Sequence, residues 1–583
     1  MKKNSLLFSI AFTSMFSYGV YAQSSARLEL GSPQGILSDI QKQNTRTTSS
    51  YSLKLSNGEI ANIDIKSYHD ADNRFSMNGE VQGFSHSSFI LKGSHSSLYG
   101  YVALHDKKQA FEITTKGGIV SIQEIKIAKI YPDLYGEEMK RPPQNALAPL
   151  AAPVYSPMAK RQAVHIGPYN NEDVTKLQSK PGSKYVFYLD NSLVMTGSTP
   201  KNGRSPEEMY RVWQCTADQY SMFDLNITMD PAVYNAAKAA DVSKTGCISF
   251  KNQDGRSYAC LGCFGTTETG TLFRDPGNGN YGYGIGMTCA HEVGHQMGMS
   301  HDGGQPGGEY FNGLSAVQWC PIMGNYWQSA SWNNAFFTWS KGEYNTATEK
   351  EDDLQIMNVN ERVPYEEDDN PSGKALKIGS AGTISPTDNW GQIEKNTDTD
   401  AFTFQVGESG GTLNLKIDPL EYLRQLDVAA KIVDASGTSV ATNNLAVNRS
   451  AEFKNLSLKA GKYSLVIQGG AELTPQTGFS NYSSLGFYGM EGTITGAVVT
   501  SVEDIAFENK VAVFPNPTAD LINISYGFNN ANTQVSLLTL TGQTVYESNQ
   551  MVQTIDLSAF SKGVYFLKIT SNGESCIKKV SKL

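Results

Sequence analysis

Three of the chain's eight histidines fall within eleven positions, His291, His295 and His301 in "HEVGHQMGMSH", and no other histidine follows His165. The spacing dictates local structure. Positions four apart stand one turn above each other on a helix, so His291 and His295 direct two imidazoles at one point. A third imidazole cannot join them from the same face without a break. Gly298, three residues past His295, can take the left-handed conformation that ends a helix and returns the chain, and His301 then closes the triangle.

Three neutral imidazoles with a fourth position left for water describe one catalytic Zn2+; a structural zinc would draw all four ligands from the protein. Glu292 lies in the same helical turn and is expected to act as general base, taking a proton from the zinc-activated water and delivering it to the leaving amine. The predicted reaction is peptide-bond hydrolysis without a covalent intermediate. A helix carrying ordinary surface histidines is the alternative, but HExxHxxGxxH arises by chance in roughly one chain of this length in a hundred thousand. Ca2+ is possible, but no residue pattern supports it.

At 583 residues the chain exceeds one core, and three to five domains are expected. Residues 1–22 read as a secretory signal peptide, with Lys2-Lys3 ahead of an apolar stretch and Val20 and Ala22 flanking the cut. No later run approaches the roughly 20 apolar residues of a membrane span, so no transmembrane segment is expected. Residues 23–161 read as β-rich, with an Asn57-Gly58 hairpin signal, and end in the Pro/Ala-rich "RPPQNALAPLAAPVYSPMAKRQ" (141–162), whose Lys160-Arg161 suits proteolytic cleavage. Residues 162–363 open as strand, helix, strand, in the manner of an α/β layer: "KYVFYLD", a capped helix start at Ser205-Pro206-Glu207-Glu208, then "FDLNITMD". The acidic "YEEDDNPSG" within 364–374 reads as a linker rather than a calcium site. Residues 375–497 alternate as a β-sandwich does, and 503–583 form a second small β-domain. The net charge of -9 argues against nucleic acid or anionic membrane as the main partner, and a monomer is expected.

Six of seven cysteines fall between 215 and 320, which in an exported chain suggests up to three disulfides. A zinc site on "CLGC" (260–263) lacks a second CxxC and ranks below the disulfide reading.

With Asp302 following, "HEVGHQMGMSHD" resembles the zinc signature of metzincin endopeptidases, in their reprolysin/adamalysin-like branch. The resemblance covers about residues 180–360. "CPIMGNYW" supplies Met323, 22 residues past His301, for the methionine turn that lies as an apolar floor under the histidines in that family. Asn325 stands where astacin-like relatives carry a zinc-binding tyrosine, so Tyr326 is not a ligand. The resemblance implies a multidomain chain with an α/β metzincin catalytic domain, a twisted sheet plus active-site helix, flanked by a β-rich propeptide and C-terminal β-sandwich domains. It further implies a zymogen acting on protein or peptide substrates. Residues 23–214 hold no cysteine, so a cysteine-based latency switch has no ligand, and Asp70 or Asp72 in "SYHDADNRF" is the substitute considered against an ordinary surface loop. Cys289, two residues before His291, is expected to pair with Cys320, three before Met323. Residues 375–497 resemble the bacterial pre-peptidase C-terminal β-sandwich. The last block, with "FPNP" at 514–517 and "GVYFLKI", resembles the type IX secretion sorting domain, which implies that secretion machinery as a partner and release or display at the surface of a Gram-negative bacterium. The competing reading is a surface adhesin or binding protein with a vestigial metzincin domain.

Overall fold

The computed structural model describes residues 27–44, 49–136, 169–193, 195–196, 199–200, 205–274, 282–305, 308–326, 336–370, 373–379, 381–420, 424–445, 449–497, 511–527, 533–539, 543–571 and 574–583. The signal-peptide reading and the Lys160-Arg161 cleavage site lie outside these residues. The chain divides into two compact units at Glu366 and Glu367, inside the acidic segment read as a linker.

The first unit opens with an eight-stranded antiparallel sheet: β1 (Arg27–Gly31), β2 (Ser50–Lys54), β3 (Ile60–Ala71), β4 (Arg74–Val81), β5 (Ser87–Ser94), β6 (Ser97–Leu104), β7 (Gln109–Lys116) and β8 (Ile119–Lys126), ordered β1-β8-β7-β6-β5-β4-β3-β2. The Asn57-Gly58 signal makes the β2–β3 turn, with Gly58 at φ +91°, a left-handed value that glycine adopts without a Cβ penalty. One face packs Ile63, Phe75, Phe89 and Phe111 with α1 (Pro33–Gln43), whose Ile36, Leu37 and Ile40 repeat at helical spacing. After β8 the chain forms a single turn of helix, α2 (Pro132–Tyr135).

The same unit continues with β9 (Tyr185–Asp190), the short pair β10 (Met195–Thr196) and β11 (Thr199–Pro200), α3 (Pro206–Gln219), β12 (Leu225–Thr228), α4 (Pro231–Ala240), β13 (Thr245–Asp254), β14 (Gly270–Arg274) and α5 (Tyr283–Gln296). Strands β12-β9-β13-β14 form one parallel sheet. Ser205 caps α3 as the sequence predicts, its Oγ accepting from the Glu208 N–H at 3.0 Å. Helix α5 packs on α3 so closely that a Cβ at Gly286 would stand 2.5 Å from Cys215 Cβ. Beyond α5 lie β15 (Trp319–Pro321), β16 (Phe336–Thr338) and α6 (Asp353–Gln355).

The second unit holds a sandwich of two five-stranded sheets and a C-terminal β-domain. The first sheet orders β17 (Lys374–Ala375), β20 (Asp400–Val406), β25 (Gly461–Gly469), β22 (Val428–Asp434) and β23 (Ser439–Asn443). The second runs β18 (Thr383–Ile384), β26 (Gly486–Ile494), β21 (Gly411–Pro419) and β24 (Ala451–Leu458), with β19 (Trp390–Ile393) also on β26. Residues 511–583 form a three-stranded and a four-stranded antiparallel sheet around Ile522, Val535, Leu537, Leu567 and Ile569.

The expected α/β class is corrected by this architecture. Strand holds 46% of the described residues and helix 16%, which makes the protein a β-dominated multidomain chain rather than one built on an α/β metzincin sheet with its active-site helix. The physical reason lies in the patterning: period-two alternation runs through residues 27–126 and most of 374–583, whereas helical period is confined to a few short segments.

Candidate metal centre and its cap

His291 and His295 lie four apart on α5 and point to one side, with ring centroids 4.7 Å apart. The helix ends as the glycine predicts. Gly298 takes φ +101°, its N–H donates to the His295 carbonyl at 2.8 Å, and the Met299 N–H reaches back to the Gly294 carbonyl at 3.0 Å. This paired closure satisfies the last carbonyls and turns the chain so that His301 meets its partners.

The Nδ1 atom of each imidazole faces an acceptor: the Ile322 carbonyl for His291 at 2.9 Å, the Met299 carbonyl for His295 at 2.7 Å, and Glu309 Oε1 for His301 at 2.9 Å. Those acceptors orient the rings through Nδ1 and turn the three Nε2 atoms inward. His295 Nε2 and His301 Nε2 stand 3.0 Å apart. The buried His291 Nε2 has no hydrogen-bond partner. A donor set of three buried, oriented imidazoles therefore fits zinc.

Met323 is fully buried in the turn after β15, and its Sδ would stand 2.6 Å from a Cβ at Gly294, which puts the thioether against α5 between the two histidines. Its carbonyl accepts from the Asp302 N–H at 2.9 Å. The Tyr326 hydroxyl donates to Thr288 Oγ1 at 3.0 Å rather than turning to the imidazoles. Glu292 is buried beside the cluster and its Oε2 accepts no hydrogen bond. Burial, and then the charge of Asp133, push its carboxyl well above the usual range.

Asp133, in α2, is the residue that sequence reasoning missed. Its Oδ2 lies 2.7 Å from His295 Nε2, 3.2 Å from His301 Nε2 and 3.5 Å from His291 Nε2, and its Oδ1 accepts from the Tyr310 hydroxyl at 2.8 Å. The four groups bring their ligand atoms within 4.8 Å of one another. Burial works against this carboxylate, but the charge of His301 and the close imidazoles outweigh it and hold its pKa well below the usual range. Asp70 and Asp72 do not approach the site: Asp70 pairs with His95 at 2.9 Å, and Asp72 makes the β3–β4 turn at φ +54°. The legible signal was "YPDLYG", an aspartate after a helix-starting proline just before the Pro/Ala-rich stretch.

Several contacts hold Asp133 in place. Arg256 Nη1 donates to the Gly136 carbonyl at 3.3 Å, and the Leu261 N–H donates to the Ile130 carbonyl at 2.9 Å. Farther off, the buried Lys92 of β5 pairs with Glu361 at 2.6 Å and donates to the Gly262 carbonyl at 3.1 Å. Ser76 donates to the Gly265 carbonyl at 2.6 Å. The Cys289–Cys320 pairing is corrected. Both thiols are free and buried, and the one disulfide among the described residues is Cys260–Cys263, which the short CxxC loop brings together locally.

Residues 512–582 match the secretion system C-terminal sorting domain. The protein is therefore secreted or displayed at the cell surface, and the domain implies interaction with the type IX secretion machinery. No described helix is long and apolar enough to cross a membrane. Among curated proteins none matches the chain. Among solved structures, the chain is similar to PorZ of Porphyromonas gingivalis, a surface component of its type IX secretion system, at 16% identity over 18% of this chain and 17% of PorZ, TM-score 0.12. It is also similar to β-glucuronidases of an uncultured Clostridium (11% identity, 32% of this chain and 34% of that one, TM-score 0.14) and of Ruminococcus gnavus (12%, 31% and 34%, TM-score 0.15). The chain thus spans at most about a third of the length of these proteins.

Proposed function

We propose that the chain is the zymogen of a secreted zinc-dependent endopeptidase whose site residues resemble those of metzincins. The observation that carries the reading is the set of three buried imidazoles, each oriented through Nδ1, whose Nε2 atoms meet at one point beside Glu292. His291, His295 and His301 would hold the metal. Zinc bound there supplies a Lewis acid that polarises the scissile carbonyl and lowers the pKa of the attacking water. Glu292 Oε2, buried and free of hydrogen bonds, takes the proton and passes it to the leaving nitrogen. Met323 fixes the floor against which α5 rests.

In the uncut chain Asp133 fills the point where the imidazoles converge, and Tyr310 holds its second oxygen. The β1–β8 sheet thus acts as an inhibitory prodomain. Its removal opens the position that water and substrate need.

The test uses secreted protein trimmed between residues 136 and 169, incubated with casein. Chelator-sensitive cutting that zinc restores and that Glu292→Ala abolishes is the expected result. If neither casein nor a peptide library is cut and Glu292→Ala behaves as the parent does, the adhesin reading replaces the enzyme.

A further inference from the structure

Three stretches of the second unit bring five carboxylates together: Asp368 and Asp369 ahead of β17, Glu394 and Asp398 in the turn after β19, and Asp400 at the start of β20. Ligand oxygens of Asp368, Asp369 and Asp400 lie within 4.8 Å of one another, as do those of Asp368, Glu394 and Asp398. Asp368 belongs to both sets and is exposed, so the cluster opens to solvent at one side.

Like charges gathered this way are common on surfaces, but two of these five carboxylates, Glu394 and Asp400, are buried. Glu394 is 2% exposed and neither of its carboxylate oxygens accepts a hydrogen bond; Asp400 is 0% exposed and its Oδ1 is equally unmet. The Asn370 side-chain oxygen is also buried without a donor, while its nitrogen donates to the Ala401 carbonyl at 2.9 Å and draws the acidic segment against β20. A buried carboxylate with no donor carries its full desolvation penalty. Lys374, 3.0 Å from Asp369, and the Tyr488 hydroxyl, which donates to Asp400 Oδ2, answer only part of the charge. Burial first, and then the neighbouring carboxylates, push Glu394 up to about 9. Asp400 is pushed up to about 8, again by burial first.

We infer that this cluster is a calcium site, with Asp368, Asp369, Glu394, Asp398 and Asp400 as its carboxylate ligands. The donors are hard oxygens from several loops, able to bind through one oxygen or two, which suits the larger, geometrically tolerant Ca2+ better than Mg2+ and excludes a preference for zinc. The ion would tie residues 368–370 to the start of β20, so the stretch that reads as a linker becomes a structural part of the sandwich. A secreted or surface protein meets calcium at concentrations matching sites with Kd of about 10⁻⁴–10⁻³ M.

The experiment uses the full chain carrying Glu292→Ala, freed of calcium and dialysed against radioactive calcium. Saturable binding of at least one ion per chain is expected, with magnesium a poor competitor and at least about tenfold weaker affinity in E394Q/D398N. Asp520→Asn, placed away from the cluster, binds as the parent does. Terbium gives a second reading: Tyr488, bonded to Asp400, should sensitise its emission, calcium should quench that signal by displacement, and Tyr488→Phe should dim it. Absence of saturable binding at about 5 mM calcium overturns the site. Equal binding by folded E394Q/D398N also overturns it, since the ion is then held elsewhere. If that variant does not fold, terbium emission in the parent that calcium cannot displace decides against the proposal.

Discussion

Asp133 and Glu394 are both buried carboxylates, 6% and 2% exposed, and they differ in what faces them. Three imidazoles turn toward Asp133, outweigh its burial and hold it ionised. Around Glu394 the neighbours are Asp398, Asp369 and Asp400, which add to burial and raise it to about 9. Burial is alike in the two places, and the sign of the neighbouring charge decides the outcome. The first unit brings a carboxylate to a centre already equipped with nitrogen donors, and the proposed zymogen reading makes that aspartate a replaceable occupant. The second gathers carboxylates with little to answer them, which is the ground for the calcium inference.

The largest expected effect bears on the first centre. Glu292→Gln in the trimmed protein should lower casein hydrolysis by about 10²–10⁴-fold, since it removes the proton acceptor and leaves the imidazoles in place. Zinc content, measured by atomic absorption, should stay at the parent's level. A variant that loses zinc along with activity would show that Glu292 helps to build the centre.

Asp133→Ala tests whether the occupant is replaceable. Removing a carboxylate paired with three imidazoles weakens the cap, and the uncut variant should cut casein at least about tenfold faster than the uncut parent. The Lys92–Glu361 pair and the Ser76 contact remain, so the sheet should stay docked and activity should remain below that of the trimmed protein. An uncut Asp133→Ala chain as silent as the parent would mean that the prodomain blocks the cleft by bulk.

The pairing of Asp133 with its imidazoles also marks where sequence reasoning reached its limit. His291, His295 and Gly298 are legible because helical period and a left-handed glycine act over a few residues, and the structure places them as that geometry requires. Asp133 lies 162 positions from His295, and no local pattern carries such a contact. Asp70 and Asp72 were named as candidates on residue type alone, with an ordinary surface loop preferred for both, and neither serves at the site. Cysteine pairing failed for a related reason: Cys289 lies inside α5, packed on α3, while Cys260 and Cys263 are brought together by their own short loop. Alternating strands were legible through both β-rich regions, but the histidine motif drew the class toward α/β beyond what its few helices support. The charge of "YEEDDNPSG" was equally plain, whereas its folding back on Glu394 and Asp400 depends on long-range packing.

The carboxylate cluster has its own test in pH. Glu394 and Asp400 have folded-state values near 9 and 8, above those of an unfolded chain, so the folded state binds the extra protons. Without calcium, their contribution to stability is present at low pH and is lost as pH rises through about 8 and then about 9. Asp368, Asp369, Asp398, Lys374 and the Tyr488 hydroxyl are the charged and titratable groups facing them. Calcium needs the ionised forms, so the rise in melting temperature it gives should grow over the same interval. Calorimetry across that range checks both slopes. A melting temperature that is flat in pH without calcium would mean these carboxylates find donors in solution.

The smallest effect isolates the Lys374 ammonium that pairs with this cluster. Lys374 Nζ lies 3.0 Å from Asp369 Oδ2, and its side chain is 41% exposed, so water screens much of the attraction. It nevertheless occupies a carboxylate that an incoming ion would use, and its charge opposes that ion. Lys374→Met should therefore tighten calcium binding by about two- to fourfold, the scale of one partly exposed ion pair. In calcium-free buffer the same change should lower the melting temperature slightly, because Asp369 then loses its partner. Opposite signs in the two buffers are what a cation-deficient site requires. A loss of calcium affinity in Lys374→Met would show instead that the lysine positions Asp369 for the ion rather than competing with it.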